Sequence, residues 1–209
     1  MTECLIMAGG LGTRLRSVVP DVPKPMAELN GRPFLEWQLD YLKSSGVDRV
    51  VLSVGYKSEV IYNHFGNHYQ SIKIDYAYED IPLGTGGGLF NALTLIQANE
   101  FMMINGDTFF PISLGAMFDI LRGSVNNAMV MAVFEANQEN RYGSLMIDDK
   151  NRLKKLISSR SSLGEPANGG MYCLDKEKLL TVQKYFRKNE KISFEAEVIP
   201  VILNDFAVE

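Results

Sequence analysis

Cys4-Leu5-Ile6-Met7-Ala8-Gly9-Gly10-Leu11-Gly12-Thr13-Arg14-Leu15 is an apolar run that empties into a turn with three glycines, and Pro23-Lys24-Pro25 follows it closely. The run Cys4–Ala8 reads as a buried strand. Glycine tolerates positive φ and lets a ligand touch bare backbone amides, which make a cradle for anions. Arg14 adds a planar donor fork suited to phosphate. Lys24 lies between two prolines that fix φ, and Pro25 biases it towards extended backbone. A lysine on stiff backbone is better placed for a reaction than one on a loose loop. Other readings of the turn are weaker. A dinucleotide fingerprint lacks its third glycine, because Leu15 stands there, and a P-loop is excluded by the absence of Gly-Lys-Ser/Thr. A glycine turn without a ligand leaves the Lys24 segment unexplained.

Around this stretch the sequence alternates strand and helix signals. Pro33–Ser45 reads as a helix with Leu35, Leu39 and Leu42 on one face, Trp37 packed on it and Gly46 as its cap. Strands are expected over Asp48–Val54, Ile72–Tyr78 and Phe101–Asn105. Helices are expected over Ser58–Phe65, with Val60, Ile61 and Phe65 inward, and over Gly84–Gln97. This order argues for a parallel sheet with helices on both faces. The second half reads as strands over Ala128–Phe134, Gly143–Ile147, Leu153–Ile157 and Gly170–Leu174, with a turn at 148–151. Helices Asp175–Arg187 and Ser193–Leu203 follow, and Phe206 and Val208 read as exposed apolar residues on them. Residues 1–209 are read as a single domain, with a soft division near the polar loop Gly123–Asn127.

Composition narrows the function class. The 209 residues suffice for one sizeable core, and 46% hydrophobic with 22% charged residues is ordinary for a globular protein. A formal net charge of −4 argues against a nucleic-acid-coating protein but allows a local basic cleft. Cys4 and Cys173 lie in apolar runs and read as core residues of a reducing compartment. With no targeting segment and no membrane-length apolar run, the expected location is cytoplasmic. Neither nucleic acid nor membrane is an expected partner, and a homo-oligomer is left open.

In open α/β sheets ligands bind beyond the carboxyl ends of the strands, so the loops after these strands should meet at one edge. Asp107, ending Asn105-Gly106-Asp107, is placed there as a Mg²⁺ ligand beside phosphates; the competing reading is a plain turn. Pro82-Leu83-Gly84-Thr85-Gly86-Gly87-Gly88 opens a helix, and so many glycines suggest a ligand's close approach. Glu79 reads equally as an acceptor for a base edge or an exposed strand-end acid. Asn168-Gly169-Gly170 suits a sugar hydroxyl or a β-bulge, and Arg141-Tyr142-Gly143 has similar standing. The basic cluster Lys150, Arg152, Lys154, Lys155 and Arg160 reads as a solvated face, and His64 and His68 as surface residues without an acid partner.

Taken together, the stretch 9–15, Pro23-Lys24-Pro25, Pro82-Leu83-Gly84-Thr85, Asn105-Gly106-Asp107 and Asn168-Gly169-Gly170 resemble, in order, the signatures of bacterial sugar-1-phosphate nucleotidylyltransferases. The resemblance runs from residue 3 to about residue 203. Gly106-Asp107-Thr108-Phe109-Phe110 and Ile192-Ser193-Phe194-Glu195 are most similar to the heptose 1-phosphate guanylyltransferase branch. The resemblance implies a Rossmann-like α/β fold with a mixed, mainly parallel central sheet. It implies a nucleotide-binding half over residues 1–122 and a sugar-phosphate half over 123–209. The implied reaction is Mg²⁺-dependent nucleotidylyl transfer from a nucleoside triphosphate, GTP favoured, to a sugar 1-phosphate, heptose favoured, for nucleotide-sugar and polysaccharide biosynthesis.

By the same resemblance Arg14, Lys24 and Asp107 are catalytic, with Asp107 also the metal ligand. The implied nucleotide contacts are Ala8, Gly9, Gly10, Gly12, Thr13, Arg14, Glu79, Gly84 and Thr85, and the sugar-phosphate contacts Gly143, Asn168 and Gly169. Where the family carries a Glu-Lys pair ahead of Asn-Gly-Gly, this chain reads Ser158-Ser159-Arg160, so Arg160 stands in for the lysine and Glu165 is a remote carboxylate. A second metal-binding aspartate is expected in an Asp-x-Gly segment, and the sequence ends at Glu209 before one. Two other readings stand beside this one: a non-catalytic nucleotide or sugar-phosphate sensor, and the same chemistry with mannose or glucose 1-phosphate and another base. A dinucleotide oxidoreductase is disfavoured by Leu15.

Overall fold

The computed structural model describes residues 2–10, 22–138, 142–157 and 162–209. Arg14, Gly12, Thr13, Arg141 and Arg160 lie outside them. Strand β1 is Glu3–Met7, and a 3-10 turn over Lys24–Met26 leads into the hairpin β2 (Glu28–Leu29) and β3 (Arg32–Pro33). Then come α1 (Phe34–Ser44), β4 (Arg49–Val54), α2 (Ser58–Phe65), β5 (His68–Tyr69), β6 (Ile72–Tyr78), α3 (Gly84–Ala92) and β7 (Glu100–Asn105). The second half holds α4 (Leu114–Arg122), β8 (Asn127–Glu135), β9 (Ser144–Ile147), β10 (Leu153–Ile157), β11 (Pro166–Asp175), α5 (Lys176–Gln183), α6 (Ile199–Asp205) and β12 (Ala207–Val208).

One ten-stranded sheet runs β10-β9-β11-β7-β1-β4-β6-β5, with β8 pairing β11 and β12. Strands β7, β1, β4 and β6 are parallel, so their carboxyl ends share an edge. Strand β11 joins β7 antiparallel and carries the second half onto the same sheet. Alternation along the strands divides the core between two faces. Cys4, Ile6, Val50, Leu52, Met102 and Ile104 pack beneath α1, α2 and α4. Leu5, Val51, Phe101 and Met103 pack beneath α3, α5 and α6 on the other side. Both cysteines are buried and unbonded, as expected, and burial pushes the Cys173 thiol up to about 12.

Several boundaries differ from the sequence expectations. Lys24 is in the 3-10 turn, not extended; the extended residue is Pro23, at ψ 150°, whose carbonyl accepts from Met26 N at 2.8 Å. Helix α3 ends at Ala92, and Leu93 and Ile96 are buried from the turn beyond it. Helix α4 was not expected; Ser113 caps it by accepting from Ala116 N. Helix α5 ends at Gln183, short of the expected Arg187, and the Ser193 segment opens as a π-helical turn, Phe194–Val198, that runs on into α6 as far as Asp205. Val208 is not exposed on a helix but 1% exposed in β12, paired with β8. His64 does have an acid partner: its Nε2 lies 2.7 Å from Glu36 Oε1.

Candidate functional site

Three loops leave the carboxyl ends of β1, β6 and β7 and are drawn together by cross-strand bonds. Ala8 N donates to Ser53 O at 2.8 Å, Glu79 N to Val54 O at 2.8 Å and Gly106 N to Met7 O at 3.0 Å. They enclose a cavity of about 510 Å³ lined by Ala8, Gly9, Gly10, Lys24, Glu79, Gly84, Thr85 and Asp107, together with Met7, Pro25, Pro82, Asn105, Gly106 and Lys191. The first eight are sequence-predicted nucleotide or catalytic residues. Gly143, Asn168 and Gly169 do not line this cavity.

Lys24 and Asp107 come from different loops, and Lys24 Nζ pairs with Asp107 Oδ2. Gly106 makes this possible: a β-carbon there would lie 2.6 Å from Met7 O and 3.1 Å from Pro25 Cγ. The glycine lets the Lys24 turn and the Asp107 loop close on each other. The loop is also held from below. Gln38 of α1, 1% exposed, donates its Nε2 to Asn105 O at 2.9 Å and to Thr108 O at 2.7 Å. Sequence reading missed Gln38, although a polar residue among Leu35, Leu39 and Leu42 on the buried helix face was a visible signal.

Glu79 is not a free strand-end acid. Its Oε1 accepts from Ser53 Oγ at 2.7 Å and its Oε2 from Leu83 N at 3.0 Å. The carboxylate fills the space left by Gly9 and Gly88, where β-carbons would lie 2.8 and 2.7 Å from Oε1.

The second glycine cluster has a different cause from the ligand approach suggested by its density. Gly86 N donates to Ile192 O at 2.8 Å, and Ile192 N donates to Leu83 O at 2.8 Å. β-carbons on Gly86 and Gly87 would lie 2.8 Å from the Ile192 side chain and 2.8 Å from Glu190 O. The glycines therefore admit the 190–192 segment, and a carbonyl occupies the amide that an anion would take at the helix start. Gly84 is the most constrained, with φ +72° and a β-carbon position 2.5 Å from Ile192 O. Gly84→Ala is expected to lose about 2–3 kcal/mol by adding left-handed strain to a backbone clash. A denaturant midpoint unchanged from the parent would contradict this packing.

Of the predicted sugar residues, Asn168 is bound up in a network beside the cavity, while β-carbons on Gly143 and Gly169 would meet Ile157 O at 3.1 Å and Ala132 O at 2.9 Å. Asn168 lies inside β11, not at its start, at a bulge against β8. Its Oδ1 accepts from Gly170 N at 2.8 Å, and its Nδ2 donates to the Tyr172 hydroxyl at 2.7 Å. Tyr172 donates to Glu195 Oε1 at 3.4 Å, and Glu195 Oε2 accepts from Thr85 Oγ1 at 2.9 Å. Burial raises the Tyr172 hydroxyl well above its ordinary value, so it stays protonated. Gly170, at φ +68°, packs where a β-carbon would lie 2.9 Å from Asn105 Nδ2. The second half thus reaches the Asp107 loop through Gly170 and the glycine helix through Glu195. Glu165, the remote carboxylate, accepts from Ser144 Oγ and from Ser162 N at 3.0 Å, and these bonds hold its carboxyl below the ordinary range.

No group of three His, Cys, Asp or Glu side chains converges for a metal among the described residues. No helix among them is long and apolar enough to cross a membrane.

The chain is 38% identical over 194 residues to the D-glycero-alpha-D-manno-heptose 1-phosphate guanylyltransferase of Campylobacter jejuni, covering 92% of this chain and 83% of that protein. It is 38% identical over 197 residues to the protein of the same name from Aneurinibacillus thermoaerophilus, covering 94% and 83%. The crystal structure of HddC from Yersinia pseudotuberculosis complexed with GMP-PN matches with a TM-score of 0.80 and 35% identity, over 96% of this chain and 86% of that one. The model of the nucleotidyl transferase family matches residues 3–208, and the chain belongs to that family.

Proposed function

We propose that this nucleotidyltransferase moves GMP from GTP to D-glycero-α-D-manno-heptose 1-phosphate, releasing pyrophosphate and forming the GDP-sugar in the cytoplasm. The observation that carries the chemistry is the meeting of Lys24 and Asp107 in the cavity beside the Ala8–Gly10 loop. The substrate pair rests on the two guanylyltransferases that the chain resembles over most of its length. The single domain divides its work between residues 1–122 for the nucleotide and 123–209 for the sugar phosphate; the continuous sheet across β7 and β11 supports this.

An oxygen of the sugar phosphate attacks the α-phosphorus, the new P–O bond forms, and the bond to the β-phosphate oxygen breaks with its electrons leaving on pyrophosphate. The attacking oxygen is already an anion, so no general base is required. Catalysis consists of holding two mutually repelling phosphates in line and neutralising the charge that shifts between them. Lys24 serves the phosphate oxygens at the reacting centre, and Arg14 the leaving pyrophosphate. Amides at Gly9 and Gly10 cradle the triphosphate. The Glu79 carboxylate, with lone pairs beyond its bonds to Ser53 and Leu83, suits adjacent N–H donors on the guanine edge.

Asp107 fits a hard divalent cation: an oxygen donor lining the cavity, its side chain 41% exposed. One carboxylate with substrate phosphates is the donor set that Mg²⁺ takes in nucleotide sites. Such an ion, bound at Asp107, supplies further charge neutralisation to the phosphates.

Pyrophosphate release over a panel of GTP, UTP, dTTP and CTP with heptose, mannose and glucose 1-phosphates tests the reading. GTP with the heptose phosphate is expected to exceed other pairs by about tenfold or more in kcat/KM, the scale that a few pocket contacts give. A preference for another pair reassigns the substrates, and no turnover with any pair alongside tight nucleotide binding favours the sensor.

A further inference from the structure

The cavity has a cation that the motifs do not include. Lys191 lines it from the opposite half of the chain, and it is exposed. The other charged lining residues each have a partner within the protein: Lys24 pairs with Asp107, and Glu79 accepts from Ser53 and Leu83. Lys191 has no hydrogen-bond or ion-pair partner among the described residues.

Its backbone is nevertheless fixed. Ile192 N and O bond to Leu83 and Gly86 at 2.8 Å each, and Ile192 is 3% exposed. On the other side of Lys191 the Glu190 carbonyl lies close against the glycine helix, where a β-carbon on Gly87 would meet it at 2.8 Å, although the Glu190 residue itself is exposed. The flexible stem of Lys191 therefore rises from an anchored base, as that of Lys24 rises from its proline-braced turn. The chain then continues through Ser193 to Glu195, which bonds Thr85 and, through Tyr172, Asn168. Lys191 accordingly stands at the seam between the Gly84 helix start of the first half and the second half, and lines the same cavity as the Ala8–Gly10 loop and Lys24.

We propose that Lys191 is a phosphate-binding residue of this site, and that the phosphate it holds belongs to the acceptor sugar. The inference rests on the transferase reading above. Two substrates bring phosphates into one cavity, whereas the Ala8–Gly10 loop and Lys24 are on the triphosphate side. A point charge from the other half would offset repulsion as the second phosphate enters, acting on binding more than on the transfer itself.

Lys191→Met keeps the stem and removes the charge, and Lys191→Arg restores a cation. Steady-state kinetics of both variants are compared with the parent, varying each substrate in turn. Lys191→Met is expected to raise KM for the sugar 1-phosphate by about tenfold or more, the scale of one charge-assisted hydrogen bond, with kcat little changed. Lys191→Arg recovers most of the loss. A rise confined to the KM of GTP keeps the phosphate assignment and moves it to the triphosphate. Unchanged KM values for both substrates overturn it. If the parent itself does not turn over, the transferase reading has failed separately. Pyrophosphate displacement of a fluorescent GTP analogue then decides Lys191: weakening by Lys191→Met supports a phosphate contact, and equal displacement refutes it.

Discussion

Lys24→Ala is expected to lower turnover by 10²–10³ while the protein stays folded. The magnitude is that of removing one preorganised donor from a developing negative charge, about 3–4 kcal/mol. The separation of activity from stability follows from exposure. Side chains of Lys24 and Asp107 are 34% and 41% exposed, and such half-solvated pairs contribute only about 0–1 kcal/mol to folding. Deleting the lysine leaves Asp107 in contact with water instead of stranded in the core. The turn that carries position 24 is built by Pro23, Pro25 and the Met26–Pro23 bond, none of which the substitution removes. Lys24→Arg is a useful companion, because a planar fork is not a substitute for a compact ammonium where geometry is tight. Pyrophosphate release with saturating substrates, alongside thermal melting, reads both halves of the expectation. Near-parent turnover in the alanine variant removes Lys24 from the chemistry, and a collapsed melting temperature removes the claim that its role is functional and not structural.

The parts of this architecture written locally were legible, and those written by distant contacts were not. Helix Ser58–Phe65 and strands Ile72–Tyr78 and Leu153–Ile157 match their expected bounds because each carries its own periodic pattern. Helix α4 carries one too, with Leu114, Met117, Phe118 and Leu121 buried, but Gly115 and the Pro111-Ile112-Ser113 lead-in imitate a loop. Strand β12 has two residues and no pattern of its own; only pairing with β8 defines it. Among site residues, the meeting of Lys24 with Asp107 was readable from strand order, since loops after parallel strands share an edge. The reason for the glycines at 86–88 was hidden, because the segment they accommodate comes from residues 190–192, and Met7, Ser53 and Glu79 crowd Gly88. Lys191 was hidden for the same cause: it stands just ahead of Ile192-Ser193-Phe194-Glu195 and outside that motif, and only the folded chain brings it to the cavity.

Arg49→Met is expected to cost about 3–5 kcal/mol of stability, the toll of orphaning a buried charge. Glu3 is 0% and Arg49 4% exposed, and they are register partners at the amino ends of β1 and β4. Arg49 Nη1 pairs with Glu3 Oε1, and its Nε donates to Asp75 Oδ2 at 2.8 Å. Glu3 Oε2 accepts from the amides of Gln97 and Ala98, the turn that brings the chain from α3 into β7. Removing the guanidinium leaves Glu3 ionised with two backbone amides but no counter-charge, or forces it to take up a proton, and either route weakens the fold. The loss is a large share of the roughly 5–15 kcal/mol that holds a domain together. The double variant Glu3→Leu with Arg49→Met should recover part of it, because no buried charge then remains, although the amides of Gln97 and Ala98 lose their acceptor at about 1–3 kcal/mol. Chemical denaturation of the two single variants and the double one closes a double-mutant cycle. The pair lies at the edge opposite the cavity, so the KM values of the surviving folded enzyme should stay those of the parent. An unchanged denaturation midpoint in Arg49→Met would show that water or a neighbour compensates Glu3. Altered KM values at full folding would show that the two edges of the sheet are coupled.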